Sequence, residues 1–452
     1  MSCKPAIQLW LPFGKESEQV RVGTATGSPS EEVQLMERVV DYDNMVKAFK
    51  QVKSNGGSPG VDGMTVQELG PYLRDHWPEV REALLAGTYE PQPVKRVNIP
   101  KPGGGTRKLG VPTALDRLIQ QVVLQVLQPR WDPTFSECSF GFRPGRSAHQ
   151  ALRCAQRHLR SGYGYVVDMD LEKFFDRVNH DKLMGEVTKR VSDRRLLVLI
   201  RRFLKAGVLD HDALHETVEG TPQGGPLSPL LSNLLLDGLD RELERRGHRF
   251  ARYADDCNIY VRSLRAGQRV LASITRYLST KLKLKVNEAK SAVGRPWERK
   301  FLGFSFTRRG FKLCISEAAE KRFKAKIREI TGRTRGRSIK QVVRELREYL
   351  LGWKGYFGLS EVSSGFKELD SWIRRRLRCY HWKQWGRRGY KELRKRGVSR
   401  QLAWNTAKSA HGPWRLSRSP ALAFALTGRY FDGLGVPRLY IKRSSRPNRL
   451  GT

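Results

Sequence analysis

Apolar side chains recur at helical spacing in three stretches of the chain. The first begins at Asp41, the second at Leu115, and the third after Ser338-x-x-Gln341, which is a capping box. Thr65-x-x-Glu68 predicts one further helix start. Each stretch should bury one face. The predicted core positions are Met45, Ala48, Phe49 and Val52; Leu115, Leu118, Ile119, Val122, Val123 and Val126; and Ile339, Val342, Val343, Leu346, Tyr349, Leu350 and Trp353.

Two other stretches have the pattern of β-strands. Residues 165–169 have the alternation of a strand, with Tyr165, Val167 and Met169 on one face. Asp170 then lies at the end of that strand. Residues 250–261 form two β-prone runs, rich in aromatic and branched side chains. Between them Ala254-Asp255-Asp256 favours a turn, so this region is predicted to be a hairpin with an acidic tip.

The acidic tip and Asp170 together suggest a metal site. Two adjacent carboxylates repel each other, and a divalent cation relieves that repulsion most readily. Hard cations such as Mg²⁺ take carboxylate oxygens, so a third acid is expected nearby, and Asp170 is the candidate. A two-metal phosphoryl-transfer site needs this arrangement. The alternative is that Asp255 and Asp256 form an ordinary solvated turn, since Asp-Asp pairs are common.

Composition narrows the choice of partner. The chain has 452 residues, with 84 Lys and Arg against 45 Asp and Glu, which gives a net charge of +39. Such an excess indicates a polyanionic partner, and no apolar run approaches membrane-spanning length. We see no signal peptide. The six cysteines include no Cys-x-x-Cys pair, which argues against a structural zinc or a disulfide framework.

Several motifs carry a family resemblance. Tyr253-Ala254-Asp255-Asp256 resembles the catalytic tetrapeptide of reverse transcriptases, and residues 170–176 resemble their first metal-binding motif. Residues 220–229 (GTPQGGPLSP) are similar to the motif that contacts template and nucleotide. Residues 374–400, basic and interleaved with aromatics, resemble the maturase-specific thumb. The chain as a whole resembles the group II intron reverse transcriptase/maturases, of the bacterial type without an endonuclease domain.

The resemblance implies an α+β, right-hand polymerase fold. That fold has fingers, a palm with an antiparallel sheet, an α-helical thumb and a short basic C-terminal DNA-binding segment. The expected divisions are an N-terminal extension at 1–40, fingers with an N-terminal extension loop at 41–150, the palm at 151–310, the thumb or maturase-specific domain at 311–386, and the basic DNA-binding segment at 387–452.

The resemblance also implies roles for individual residues near the metal site. Two Mg²⁺ ions are expected on Asp170, Asp255 and Asp256, with the Leu171 carbonyl as an extra ligand; Asp256 is the weakest candidate. Five residues are expected to contact the nucleotide: Lys101 and Arg107 from a basic hairpin, Phe175 as a gate against the ribose 2′-hydroxyl, Gln223, and Lys290 at the pyrophosphate. The alternatives are a generic RNA-facing hairpin for the basic pair and a core aromatic for Phe175.

Two arginine groups are candidates for nucleic-acid contact. Arg143 and Arg146 lie in a motif of the family and are expected on the template backbone, with a turn bearing surface arginines as the alternative. Arg374, Arg375, Arg376 and Arg378 lead the basic run, where cations release counterions from phosphates and aromatics stack on bases.

The function implied is RNA-directed DNA polymerase activity combined with splicing and mobility of an intron. The expected partners are group II intron RNA, an RNA template, a DNA primer or target, and deoxynucleotides; no membrane partner is expected, and the oligomeric state stays open. The expected location is the bacterial cytoplasm, on the nucleoid. The alternatives are a splicing-only RNA-binding maturase and a reverse transcriptase of a retron or defence system.

Overall fold

The computed structural model describes residues 34–100, 105–210, 213–215, 219–221 and 224–440. They form two units that divide between Arg295 and Pro296. This division precedes the palm end expected at residue 310.

The first unit contains nine helices among its described residues, and their buried faces follow the sequence pattern. In α2, Met45, Ala48, Phe49 and Val52 are buried behind an Asp41 N-cap, and α4 buries Leu118, Ile119, Val122 and Val123. The helices are α1 (Leu35–Val39), α2 (Tyr42–Asn55), α3 (Leu69–Ala86), α4 (Ala114–Trp131), α5 (Ala148–Arg160), α6 (His180–Thr188), α7 (Arg194–Lys205), α8 (Ser228–Arg245) and α9 (Leu264–Tyr277).

The helix predicted from Thr65 begins later than expected. Glu68 accepts hydrogen bonds at 2.8 Å from both the amide and the hydroxyl of Thr65, so the predicted pair forms. It closes a turn, however, and the helix itself starts at Leu69. The capping-box prediction therefore located the turn correctly and the first helical residue wrongly.

The strands of the first unit form two sheets. They are β1 (Val94–Pro100), β2 (Thr106–Val111), β3 (Tyr165–Met169), β4 (Val208–Asp210), β5 (Ala213–His215), β6 (Arg249–Tyr253), β7 (Asp256–Val261) and β8 (Ala292–Gly294). One sheet has the order β2-β1-β4-β5 and the other the order β6-β7-β3-β8. The second sheet is antiparallel throughout, with Met169 opposite Cys257. This register brings the end of β3 next to the turn between β6 and β7.

The second unit is mainly helical. Its α11 begins after the predicted capping box at Ser338 and buries Val342, Val343, Leu346, Leu350 and Trp353, which confirms that prediction. Its elements are β9 (Phe304–Phe306), β10 (Leu313–Ile315), α10 (Glu317–Ile330), α11 (Ile339–Phe357), α12 (Ser363–Trp385), α13 (Gly389–Lys395), α14 (Arg400–Lys408), α15 (Pro413–Leu416), α16 (Pro420–Ala425) and α17 (Gly428–Gly433). Within the described part of the chain, no helix has the length and apolarity needed to cross a membrane.

Candidate active site

The acidic hairpin has a tighter turn than the sequence predicted. Tyr253 pairs directly with Asp256, so only Ala254 and Asp255 form the turn. Ala254 has φ of +57°, a left-handed conformation that is unfavourable for a residue with a Cβ. Asp255 is partly buried at the tip, whereas Asp256 is an exposed residue at the start of β7. The two adjacent carboxylates therefore occupy different environments.

Asp170 directly follows β3 and is fixed by a loop that precedes β8. Its amide donates to the Ser291 hydroxyl at 3.0 Å, and its carbonyl accepts from the Asn287 amide at 2.8 Å. Leu171 forms an isolated β-bridge with Val286. Residues 286–291 thus hold Asp170 and Leu171 in place through backbone contacts and the Ser291 hydroxyl.

A cleft of about 1530 Å³ brings most of the predicted residues together. Asp170, Leu171, Phe175, Asp255, Arg107 and Lys290 all line it. Asp256 is not among the lining residues, in line with its being the weakest candidate. Lys101 and Gln223 lie outside the described residues.

The cleft brings two of its carboxylates, Asp170 and Asp255, close enough to interact. Burial raises the pKa of Asp255, and the Asp170 carboxylate raises it further, while Arg107 and Arg252 oppose the shift. The Lys290 ammonium lies 3.5 Å from an Asp170 carboxylate oxygen. Two carboxylates and a nearby backbone carbonyl are hard oxygen donors, so the residues present fit divalent metal ions.

A buried network behind the turn supports its strained backbone. Arg252 is 1% exposed and pairs in bidentate fashion with Asp240, at 2.7 and 2.6 Å. Its remaining donors reach the Ala254 carbonyl, the Asn233 side-chain oxygen and the Ser139 hydroxyl. All five guanidinium donors are thus used. Burial alone would lower the pKa of Arg252, but the Asp240 carboxylate raises it, so the guanidinium keeps its charge.

The turn also has a close backbone neighbour at Gly141. A Cβ at this position would lie 2.2 Å from the Ala254 nitrogen, a distance at which the backbone would have to move. Asn233 fixes the glycine by donating from its side chain to the Gly141 carbonyl at 2.8 Å. Sequence analysis missed Arg252 and its partners, although a lone arginine between apolar strand residues should have signalled a buried counter-charge.

Phe174 and Phe175 have separate environments. Phe174 is 3% exposed and belongs to the core, whereas Phe175 is partly buried and lines the cleft. The Thr221 amide donates to the Phe175 carbonyl at 2.6 Å. Gly220 has φ of +97°, and a Cβ there would lie 3.0 Å from the same carbonyl. The glycine-containing motif therefore packs against the backbone that presents Phe175.

The predicted contact of Arg143 with nucleic acid needs a correction. It is 7% exposed, and its five donors bond to the Asp132 carboxylate and to the carbonyls of Asp132, Ser136 and Ser139. A guanidinium used in this way holds a turn together and has no donor left for a phosphate. Arg146 is partly exposed beside Glu137, at 2.6 Å, and it stays a candidate.

Arg374 of α12 needs a similar correction, while the contacts predicted for Arg375, Arg376 and Arg378 stay predictions. Arg374 is 8% exposed and pairs with Asp370 at 3.2 Å and Asp432 at 2.7 Å, so it is a structural residue of the second unit. The other three are partly exposed but also bonded internally. Arg375 lies 3.7 Å from the Trp414 ring centroid, and the Nε atoms of Arg375, Arg376 and Arg378 bond to Ser417, Thr331 and Ser417 respectively.

Comparisons with known proteins agree with this geometry. The family described as reverse transcriptase (RNA-dependent DNA polymerase) matches residues 99–306. The family described as group II intron, maturase-specific domain matches residues 320–398. The two matches together cover more than half of the chain. The chain contains a reverse transcriptase domain followed by a group II intron maturase-specific domain. In the reverse transcriptase family, divalent metal ions are generally required.

Individual relatives cover parts of this reverse transcriptase/maturase. Protein YkfC of Escherichia coli strain K12 is 37% identical over 49% of the chain and 60% of its own length. Group II intron-encoded protein LtrA of Lactococcus lactis is 38% identical over 43% of the chain and 32% of its own length. The chain thus spans less than two thirds of these curated relatives. A solved telomerase from Candida albicans has a TM-score of 0.41 and 14% identity, covering 69% of this chain and 63% of its own.

Proposed function

We propose that the chain is an RNA-directed DNA polymerase that uses two Mg²⁺ ions and also binds group II intron RNA. The observation that carries the polymerase assignment is the shared cleft. It holds Asp170 and Asp255 with two cations, Arg107 and Lys290, and an aromatic side chain, Phe175. A deoxynucleoside triphosphate needs such groups around its phosphates and sugar.

The residues of the cleft have distinct proposed roles. Asp170 and Asp255, with the Leu171 carbonyl, would hold the ions, and Asp256 would contribute less directly. When bound, the ions lower the pKa of the attacking primer hydroxyl and neutralise charge on the leaving pyrophosphate. Lys290 now neutralises Asp170 and is free to turn to the pyrophosphate, because its side chain is 69% exposed. Arg107 binds the triphosphate, together with Lys101, and Gln223 orders the template base or the nucleotide.

Phe175 sets the sugar preference in this proposal. The Thr221 amide holds its backbone, which fixes the position from which the side chain projects. Phe174 packs edge-to-face against it, with ring centroids 5.2 Å apart, and supports the position further. A ring fixed in this way leaves little room for a 2′-hydroxyl, so deoxynucleotides are preferred.

The second activity is intron binding by the maturase-specific domain. The match over residues 320–398 supports this activity. The net charge of +39 attracts the phosphates of the RNA. Splicing and mobility of the intron by target-primed reverse transcription follow if both activities reside in one chain. LtrA is named as a group II intron-encoded protein, which agrees with this proposal.

Primer extension tests the polymerase proposal. The full chain is given a long RNA template, a DNA primer, deoxynucleotides and Mg²⁺, and wild type is compared with Asp255→Ala. We expect the variant to lose at least about 1,000-fold in rate, since metal stabilisation is worth several kcal/mol. Asp75→Ala, at an exposed aspartate of α3, is the matched control and should be unaffected.

Splicing of a group II intron is measured on the same proteins. Loss of DNA product in Asp255→Ala with splicing retained would establish two separable activities. No DNA product from wild type, with splicing intact, would contradict the polymerase and leave an RNA-binding maturase.

A further inference from the structure

A second group of metal-ligating side chains lies away from the catalytic carboxylates. Cys138, Cys154 and His158 place their sulfur and nitrogen atoms within 4.8 Å of one another, and no other such triad of His, Cys, Asp or Glu occurs in the described residues. Cys154 and His158 are four residues apart on α5, so they project from one face of the helix. Cys138 comes from the segment that precedes the Gly141 contact.

The spacing of the donors suits a tetrahedral zinc ion. With Zn–S and Zn–N bonds of about 2.3 and 2.1 Å, donor atoms lie about 3.5 to 3.8 Å apart. The Cys154 sulfur is 3.3 Å from Nε2 of His158, and the widest separation in the group exceeds the ideal by only about 1 Å. The Phe250 carbonyl oxygen lies 3.2 Å from the same Nε2, so this oxygen can serve as the fourth ligand.

The chemistry of these donors separates this site from the catalytic cleft. Thiolate and imidazole select zinc, whereas the carboxylates of the cleft select Mg²⁺. The absence of a Cys-x-x-Cys pair hid the site at the sequence level, because its ligands come from two segments that meet only in the fold.

We propose that Cys138, Cys154 and His158 bind one Zn²⁺ ion beside the catalytic hairpin. Its fourth ligand is the Phe250 carbonyl or a water molecule. Up to two thiol protons leave when the ion binds.

The ion would tie α5 and the Cys138 segment to the strand that carries the active-site turn. The Arg252 amide donates to the Cys138 carbonyl at 2.9 Å, and the His158 ring lies 5.4 Å from the Tyr260 ring on β7. Cys138 is therefore bonded to the residue that supports Ala254. A structural ion here stabilises the hairpin without taking part in the reaction.

Metal analysis of the full chain tests the proposal without any activity measurement. The protein is purified with a phosphine reductant and excess Mg²⁺, and its zinc content is measured. We expect about one zinc per chain in wild type, and loss of that zinc in Cys154→Ala and His158→Ala. Cys314→Ala, at a cysteine of β10 outside the cluster, is the matched control and should keep the ion.

Cobalt substitution checks the ligands directly. Apo protein titrated with Co²⁺ should develop a thiolate-to-cobalt charge-transfer band that saturates at one equivalent and disappears in Cys138→Ala. Because Cys138 is only partly buried, this variant is the one expected to fold most normally, and circular dichroism confirms its folding.

Three outcomes would overturn the proposal. They are a reduced wild-type protein with neither zinc nor a cobalt band, equal zinc in wild type and Cys154→Ala, and a metal-free Cys138–Cys154 disulfide in mass spectra. Since none depends on DNA synthesis, failure here leaves the polymerase proposal untouched.

Discussion

The catalytic cleft and the arginine run of α12 treat charge in opposite ways. In the cleft, the Asp170 carboxylate disfavours ionisation of Asp255, whereas Arg107 and Arg252 favour it, and the Lys290 ammonium lies 3.5 Å from Asp170. On α12, Arg374 is paired twice with acids, and its three neighbours are bonded within the unit. Contacts within the fold can thus use part of a dense run of charge, so such a run does not by itself identify the side chains that bind a ligand.

The largest effect is expected from breaking the compensated pair behind the turn. Arg252→Met leaves Asp240 buried without a partner, so we expect a loss of about 3–5 kcal/mol in the free energy of unfolding. Urea denaturation measures it. The control is Arg245, which is exposed and shares Glu242 with Arg246, so Arg245→Met should cost less than about 1 kcal/mol. Equal losses in the two variants would contradict the role given to burial.

The double variant Arg252→Met/Asp240→Leu separates the effect of the pair on folding stability from its effect on the position of the active-site turn. It removes both buried charges, so much of the stability should return. Polymerase activity should stay low, because Ala254 has lost the donor to its carbonyl. Recovery of both stability and activity would show that the pair acts only on folding.

Arg374→Met should have the next largest effect, on stability and not on RNA binding. It leaves Asp370 and Asp432 short of a partner, so we expect a loss of about 3 kcal/mol in the free energy of unfolding. The slope of intron binding against salt concentration should be unchanged. A reduced salt slope would show that Arg374 does contact phosphate.

The matched comparison neutralises exposed cations of the same unit. Lys383, Arg387 and Arg388 are exposed at the end of α12 and just beyond it. If they touch phosphate, changing all three to Gln should reduce the salt slope by up to about 2.7, at about 0.9 for each contact. Filter binding across a salt titration measures both variants.

Phe175→Ala tests the sugar gate. Removing the ring should raise ribonucleotide incorporation relative to deoxynucleotide by about 10- to 100-fold, the usual worth of one pocket contact. Single-nucleotide incorporation kinetics measure the ratio. Phe203→Leu is the control, because Phe203 is a buried residue of α7 that does not line the cleft, and it should lower stability while leaving the ratio unchanged.

The smallest effect concerns the metal-free stability of the cleft. The pKa of Asp255 is raised in the folded state, so its ionised form is disfavoured there. Asp255→Asn should therefore raise the Tm of the metal-free protein at pH 7, by an amount worth less than about 1 kcal/mol. The gain should vanish below about pH 3.9, where the carboxyl is protonated in both states. Mg²⁺ should raise the Tm of wild type only, and a response in the variant would contradict its role as a ligand.

Local patterns predicted the local features well. The helices at Tyr42 and Ile339 and the end of β3 at Asp170 follow from periodicity and capping, which depend on near neighbours in the chain. The pairing of Arg143, Arg252 and Arg374 depends on partners from other elements or from turns, which no periodic pattern encodes. The same holds for the group formed by Cys138, Cys154 and His158. Sequence alone therefore located the acids of the site but not the residues that hold them.

The contact between Gly141 and Ala254 limits how this chain can be altered in the laboratory. Even alanine does not fit at position 141. In a random library that varies this position, nearly all variants would therefore have a displaced turn at residues 254–255. Position 254 is more permissive toward glycine, which adopts a positive φ without strain. Engineering of fidelity or speed should therefore leave residue 141 fixed and vary the walls of the cleft.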